Sequence, residues 1–264
     1  MDPLEALVLG VVQGITEWLP VSSSGHLVIA QELLGLPADE NLVFDLVVHL
    51  GTLAAVLVFF RKELGRILLS LFMTKASRGV QENKLRKLGF VLLVGTIPVA
   101  IAGLLLTDYI EGIFDLRLVG FALIVNAFGL LAFERLWSRG SSRDTNYVDA
   151  LIIGAFQAVS IMPGISRSGW TLGGGMFRGL ERETAAVFAF LLSVPTLIGA
   201  FSYGILTLDQ YDTTLYLSAL GFFAAMLTGL VSISYLLKAV RAGKLWVFSV
   251  YCAIVGLAVV VMNL

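Results

Sequence analysis

The sequence predicts an all-α integral membrane protein with six transmembrane helices, two re-entrant broken-helix segments and an inverted-topology internal repeat. Three observations lead there. First, the 264 residues are 58% hydrophobic and 14% charged, with a mean hydropathy of +0.90, whereas a soluble domain is about half apolar and a quarter charged. Second, six apolar windows have the length of a membrane span. Third, the polar residues inside the apolar text gather at two breaks that recur at a fixed offset.

A spanning helix needs about 20 mostly apolar residues. The windows 42–60, 89–107, 117–136, 184–206, 214–238 and 245–263 satisfy this. Two further apolar stretches, 4–35 and 149–179, are interrupted midway by Leu19-Pro20-Val21-Ser22-Ser23-Ser24-Gly25 and by Met162-Pro163-Gly164-Ile165-Ser166-Arg167-Ser168-Gly169. Each half is too short to cross, so both read as re-entrant segments. The 27 glycines suit membrane helices.

Composition also excludes classes. A net charge of −1 leaves no nucleic-acid footprint. Cys252 is the single cysteine, so neither an intrachain disulfide nor a cysteine metal site is expected. The first residues do not read as a secretory signal, because no positive residue precedes the apolar stretch and Glu5 and Glu17 interrupt or bound it.

Lysine and arginine set the orientation. Residues 1–60 contain neither, whereas the loop 61–88 carries Arg61, Lys62, Arg66, Lys75, Arg78, Lys84, Arg86 and Lys87. That loop is therefore placed in the cytoplasm. Alternation then puts 108–116 and the acidic turn Asp209-Gln210-Tyr211-Asp212 outside. Arg135, Arg139, Arg143, Arg178, Arg182, Lys238, Arg241 and Lys244 fall inside, Arg117 outside, and Arg167 at a break.

Shifting the chain by 144 positions superimposes the broken segments without a gap: Ala6 meets Ala150, Gly10 meets Gly154, Gln13 meets Gln157, Ser22 meets Ser166, Ser24 meets Ser168 and Gly25 meets Gly169. The register continues through Phe44 and Phe188 to Thr52 and Thr196. The chain is thus a single membrane domain, 1–264, with repeats at about 1–136 and 145–264. Three spans per repeat is an odd number, so the halves insert with opposite orientation. The first broken segment enters from outside and the second from the cytoplasm, with their tips near the midplane. That is where such architectures bind ligands.

Polar groups in hydrocarbon are costly and point to function. Gln13 and Glu17, four apart, share a helix face; Gln13 serves either a helix–helix hydrogen bond or the site. The serines of Ser22-Ser23-Ser24-Gly25-His26 are N-cap signals, and a helix N-terminus also collects anions. The three-residue spacing of Ser23 and His26 permits a hydroxyl–imidazole pair. His49, within a span, admits a structural or a functional role. Arg167 needs either a bound anion, for which a guanidinium is suited, or an ion pair with Glu17. The repeats differ in chemistry: Glu17 aligns with Ile161, Ser23 with Arg167, and His26 with Trp170. One half supplies acid, hydroxyl and imidazole and the other a cation, a division that suits catalysis. Asp45 and Asp108, near span ends, are expected to be solvated; Asn126 and Glu134 have no assigned role.

The run Gln13-Gly14-Ile15-Thr16-Glu17-Trp18-Leu19-Pro20-Val21-Ser22-Ser23-Ser24-Gly25-His26 resembles the first signature of the undecaprenyl-pyrophosphate phosphatase family of the bacitracin-resistance type. Pro163-Gly164-Ile165-Ser166-Arg167-Ser168-Gly169 resembles its second. The resemblance covers essentially the whole chain. It implies a plasma-membrane phosphatase that needs a divalent cation, Mg²⁺ or Ca²⁺. Its substrate would be a C55 polyprenyl pyrophosphate, cut to the monophosphate and inorganic phosphate to recycle a cell-wall lipid carrier. By position, Glu17 is then the essential acid and metal residue, Ser23 the nucleophile, His26 its partner and Arg167 the phosphate-binding arginine. Ser22, Ser24, Ser166 and Ser168, with Gly25 and Gly169, line the substrate pocket. Gln13, where family members have Glu or Gln, is a weaker metal ligand. His26 would take the Ser23 proton, activate water or protonate the leaving oxygen. The site is expected to open outward.

The rival reading is a transporter or flippase of a phosphorylated lipid or anion, supported by the inverted repeat. Gly95, Gly103, Gly120 and Gly129 permit close helix packing within the chain or in a homodimer.

Overall fold

The computed structural model describes residues 1–36, 41–74, 79–112, 115–137, 140–207 and 215–262. Lys75, Arg78, Arg139, the turn 209–212 and the side chain of Asp108 lie outside the described residues. The remainder folds into helices α1 (Pro3–Trp18), α2 (Ser23–Leu34), α3 (Leu42–Phe59), α4 (Arg61–Phe72), α5 (Val80–Gly112), α6 (Leu116–Leu136), α7 (Tyr147–Ala158), α8 (Arg167–Phe177), α9 (Arg182–Thr207), α10 (Leu215–Arg241) and α11 (Leu245–Met262). α3, α5, α6, α9, α10 and α11 are each long and apolar enough to cross a membrane, and they coincide with the six sequence windows. The chain is a multi-pass membrane protein.

The broken segments become helix pairs, α1–α2 and α7–α8. Asp2 and Glu5 form a capping box at the start of α1, with Pro3 at its first position; Asn146 and Asp149 form one at the start of α7. These satisfy backbone N–H groups that a helix start otherwise leaves unpaired. The cap positions themselves are related by the repeat offset. Leu19 leaves α1 in an extended conformation, as the residue before a proline must.

Helix packing exchanges partners between the halves: α1 runs along α10, α7 along α5, and α6 along α11. Gly10 and Gly154 occupy equivalent crossings. A Cβ at Gly10 would lie 2.9 Å from the Gly221 Cα of α10, and one at Gly154 would lie 3.0 Å from Pro98 of α5. Only glycine admits that approach. Gly95, Gly120 and Gly129 are likewise used inside the chain, against Leu192, Gly256 and Trp170, while Gly103 faces open space.

The stretch expected as a basic loop, 61–88, is mostly helical. Arg61–Phe72 forms α4, and α5 begins at Val80. Its apolar residues recur at helical spacing, so with Arg61, Lys62 and Arg66 they make an amphipathic helix. The other basic connections meet in one mesh. Arg143 and Arg178 grip the fully buried Asp149 at 2.5 and 2.9 Å, Arg182 pairs with Glu134 at 3.2 Å, Arg241 with Glu183 at 2.5 Å, and Lys84 with Asp144 at 3.4 Å. Glu134 also accepts the Trp246 N–H. These charges share one end of the bundle.

Asp149 lies outside the six spans. Burial opposes its charge, but hydrogen bonds from Arg143, the Asn146 backbone and Arg178 outweigh that cost and hold the carboxyl at about 2. A depressed carboxyl contributes its full stability above its unfolded value of about 4 and loses it as pH falls through the folded value. Asp149→Ala should therefore cost about 3 kcal/mol, because it strands two guanidiniums. In thermal unfolding of the purified protein, the gap from wild type should be constant above a pH of about 4 and should shrink toward a pH of about 2.

Candidate active site

The two breaks lie against each other. Ser22 caps α2 by accepting the Gly25 N–H at 3.4 Å, and Ser166 caps α8 by accepting the Gly169 N–H at 3.2 Å. Each break also reaches into the other: Ser22 Oγ accepts the Gly164 N–H at 3.1 Å, and Ser168 Oγ donates to the Leu19 carbonyl at 3.0 Å. A Cβ at Gly25 would stand 3.2 Å from Gly164, and one at Gly169 would stand 2.9 Å from Pro20. Ser22 carries a φ of 70°, a left-handed conformation that costs a non-glycine residue energy. Ser22, Ser166, Gly25 and Gly169 thus hold the breaks together, and Ser24 and Ser168 hydrogen-bond to the two capping serines.

This clamp leaves the first residues of the two helices, Ser23 of α2 and Arg167 of α8, facing one carboxylate. Ser23 Oγ donates to Glu17 Oε2 at 2.5 Å, and Gln13 Nε2 donates to the same oxygen at 3.0 Å. Arg167 pairs with Glu17 Oε1. His49 Nε2 stands 3.9 Å from Oε2. Gln13 and Glu17 are buried. The Arg167 guanidinium lies 5.8 Å over the Trp18 ring, a cation–π contact. Among the described residues, three buried atoms here have no hydrogen-bond partner: Arg167 Nη1 and Trp18 Nε1, both donors, and Gln13 Oε1, an acceptor.

The expected hydroxyl–imidazole pair is not formed. His26 Nδ1 faces the Ser22 carbonyl at 2.8 Å, so that nitrogen carries the proton, and Nε2 meets the Tyr251 hydroxyl at 2.9 Å. With both nitrogens engaged, the ring braces the strained Ser22 and the Ser23 hydroxyl turns to Glu17. Three-residue spacing on a helix allows a pair without compelling it. Asp45 is also more constrained than a solvated carboxylate, since it accepts from Gln31 at 2.8 Å. The Asp45 backbone carbonyl takes His49 Nδ1 at 2.7 Å, which aims the other nitrogen of His49 at Glu17.

Asn126 is the residue that sequence reasoning left out. Fully buried in α6, it donates to the Pro20 carbonyl at 3.1 Å and to Cys252 Sγ at 3.4 Å. It accepts the Ser166 N–H and the Trp170 indole N–H, both at 3.1 Å. One amide therefore sets the position of both breaks. The available signal was an amide inside a span, where an unpaired polar group is expensive. Glu134 proves to belong to the basic mesh.

The fold and site together define a class: a multi-pass helical membrane protein whose two broken helices bring a carboxylate, a hydroxyl and a guanidinium together. The chain belongs to the family of the bacitracin resistance protein BacA, whose model matches residues 6–258. Similar chains include one from Korarchaeum cryptofilum, 39% identical and covering 98% of both chains, and one from Methanosphaera stadtmanae, 39% identical and covering 100% of this chain and 99% of the relative. A third, from Syntrophotalea carbinolica, is 42% identical over 97% of each. All three are named undecaprenyl-diphosphatase.

Asn126→Ala should leave the Ser166 and Trp170 donors unpaired and lower unfolding stability by about 2–3 kcal/mol. Asn126→Asp keeps an acceptor for both and should recover part of the loss, as read by thermal denaturation in detergent.

Proposed function

We propose that this chain is an undecaprenyl-diphosphatase, an enzyme that removes the terminal phosphate of the polyprenyl diphosphate and leaves the monophosphate. The observation that carries the reading is the convergence of Ser23, Gln13 and Arg167 on the buried Glu17, beside a guanidinium nitrogen that has no partner. A phosphate supplies the acceptors that Arg167 Nη1 lacks, and the N-termini of α2 and α8 favour an anion at the same place.

In this reading Ser23 Oγ bonds to the terminal phosphorus as the bridging P–O bond to polyprenyl monophosphate breaks. The Ser23 proton passes along its hydrogen bond to Glu17 Oε2; a water oxygen then bonds to that phosphorus as the Ser23 Oγ–P bond breaks, Glu17 returns its proton to Ser23 Oγ, and the water's proton leaves with the inorganic phosphate. Phosphoryl transfer has a loose transition state, so a weak base suffices and positioned charge matters most. Arg167 supplies that charge. His26 acts through Ser22, keeping the start of α2 in place.

Among the described residues no group of three or more His, Cys, Asp or Glu side chains is placed to hold a metal. Mg²⁺, however, is commonly held by one or two carboxylates plus substrate phosphates. Glu17 and the unpartnered Gln13 Oε1 are hard oxygen donors of that kind, so they would hold Mg²⁺ or Ca²⁺ together with the diphosphate. The cation would offset charge on the phosphate.

Further parts of the reading concern the membrane. The helix pairs α1–α2 and α7–α8 act as re-entrant halves of an inverted repeat; the exchanged packing and matching caps support this. The basic mesh, with α4, lies on the cytoplasmic side by the distribution of lysine and arginine, and the site opens to the opposite side. The meeting of two broken helices also favours a second reading, transport of a phosphorylated lipid.

In detergent, undecaprenyl diphosphate should yield inorganic phosphate with Mg²⁺ or Ca²⁺ and none with EDTA. Glu17→Ala and Arg167→Ala should each lose about 10²–10³ in rate. Near-normal turnover by Arg167→Ala would remove the site assignment. Liposome flux of the lipid without phosphate release would favour transport.

A further inference from the structure

Two open grooves meet at Ala200 of α9. One, of about 650 Å³, lies between α3 and α9 and has Asp45 and His49 in its wall; His49 Nε2 is 3.9 Å from Glu17. The other, of about 990 Å³, lies between α5 and α9, running along Thr96, Ala100 and Gly103 on one side and Thr196, Gly199 and Tyr203 on the other. Ile161, the repeat counterpart of Glu17, also lines it. Both grooves use the first half of α3 or the second halves of α5 and α9, away from the basic mesh.

The second groove is mostly apolar, with the Tyr203 ring at one end and three threonines along it. The hydroxyls of Thr96, Thr107 and Thr196 donate to carbonyls of their own helices, at 3.0, 2.6 and 3.0 Å. Gly103 and Gly199 have no packing reason to be glycine, since a Cβ at either would meet nothing within 4 Å. On the same helices Gly95 and Gly204 pack tightly, their Cβ positions 3.0 Å from Leu192 and Leu46. Glycine weakens a helix relative to alanine, so at 103 and 199 its effect is to keep the groove wide.

We propose that this groove, entered from the His49 groove past Ala200, is the lane that holds the hydrocarbon tail of the substrate. The inference rests on the phosphatase reading for the identity of the head group. The groove shares Ala200 with the His49 groove, whose His49 stands 3.9 Å from Glu17; it is wide where two glycines face it and has no free donors along the three threonines. An isoprenoid chain needs width and apolar wall and no hydrogen bonds. The division between the repeats follows: where one half has Glu17 to meet the diphosphate, the other has Ile161 to meet the tail.

Gly103→Phe and Gly199→Phe put a ring into the lane from positions where a Cβ meets nothing within 4 Å. Gly65→Phe on α4, where a Cβ also meets nothing, controls for an added exposed ring. For undecaprenyl diphosphate the two lane variants should raise KM about tenfold or more, while farnesyl diphosphate, too short to depend on the lane, changes by less than about twofold. Equal losses for both substrates, or no change for either, would overturn the lane. A polyprenyl phosphate with a benzophenone near the tail end provides a readout without turnover in the wild-type protein. Crosslinks within 96–107 and 196–203 support the lane, and crosslinks elsewhere overturn it. If the wild type releases no phosphate, the phosphatase reading fails separately, and the crosslink map still decides the lane.

Discussion

Glu17 is a carboxylate without solvent around it, and the rest of the site is arranged to make its charge tolerable. Removing an ion from water costs several kcal/mol unless a partner and further hydrogen bonds compensate. Arg167 provides the partner, and Ser23 and Gln13 provide the bonds. Because Glu17 ends the first helix of one half and Arg167 begins the second helix of the other, this one ion pair joins the repeats. Everything that fixes the two breaks serves to keep it formed.

Those fixtures are mostly side chains bonded to backbone groups. Capping serines satisfy the helix starts, and the Ser22 and Ser168 hydroxyls cross from one break to the other. Asn126 ties both to α6. His26 and Tyr251 hold Ser22 in a conformation it would not adopt alone. What this frame leaves uncommitted are single atoms of side chains that otherwise hold Glu17: Arg167 Nη1 and Gln13 Oε1. A rigid frame around a small set of uncommitted polar atoms is what electrostatic catalysis requires.

The two repeats share helix caps, glycine crossings and capping serines, and differ where chemistry is needed. Glu17 against Ile161 and Ser23 against Arg167 give the two aligned segments different chemistry. The grooves differ in the same sense: Asp45 and His49 stand in the wall of one, and Ile161 in the wall of the other.

Much of this was legible in the chain itself. Spans can be read because hydrocarbon demands about 20 apolar residues whatever lies beside them, and breaks can be read because proline, glycine and serine interrupt helices locally. The residues of the site stood out because polar groups at such breaks are expensive. The partners of those residues were not legible. Spacing allowed Ser23 to meet His26, yet Ser23 meets Glu17, because His26 is drawn to Tyr251 from α11. Asn126 showed no role until α6 was set against both breaks, and the basic loop concealed α4. Composition and local pattern determined the helices, the breaks and the candidate residues; tertiary structure decided which of them touch, since a hydrogen bond between residues 225 positions apart depends on how the helices pack.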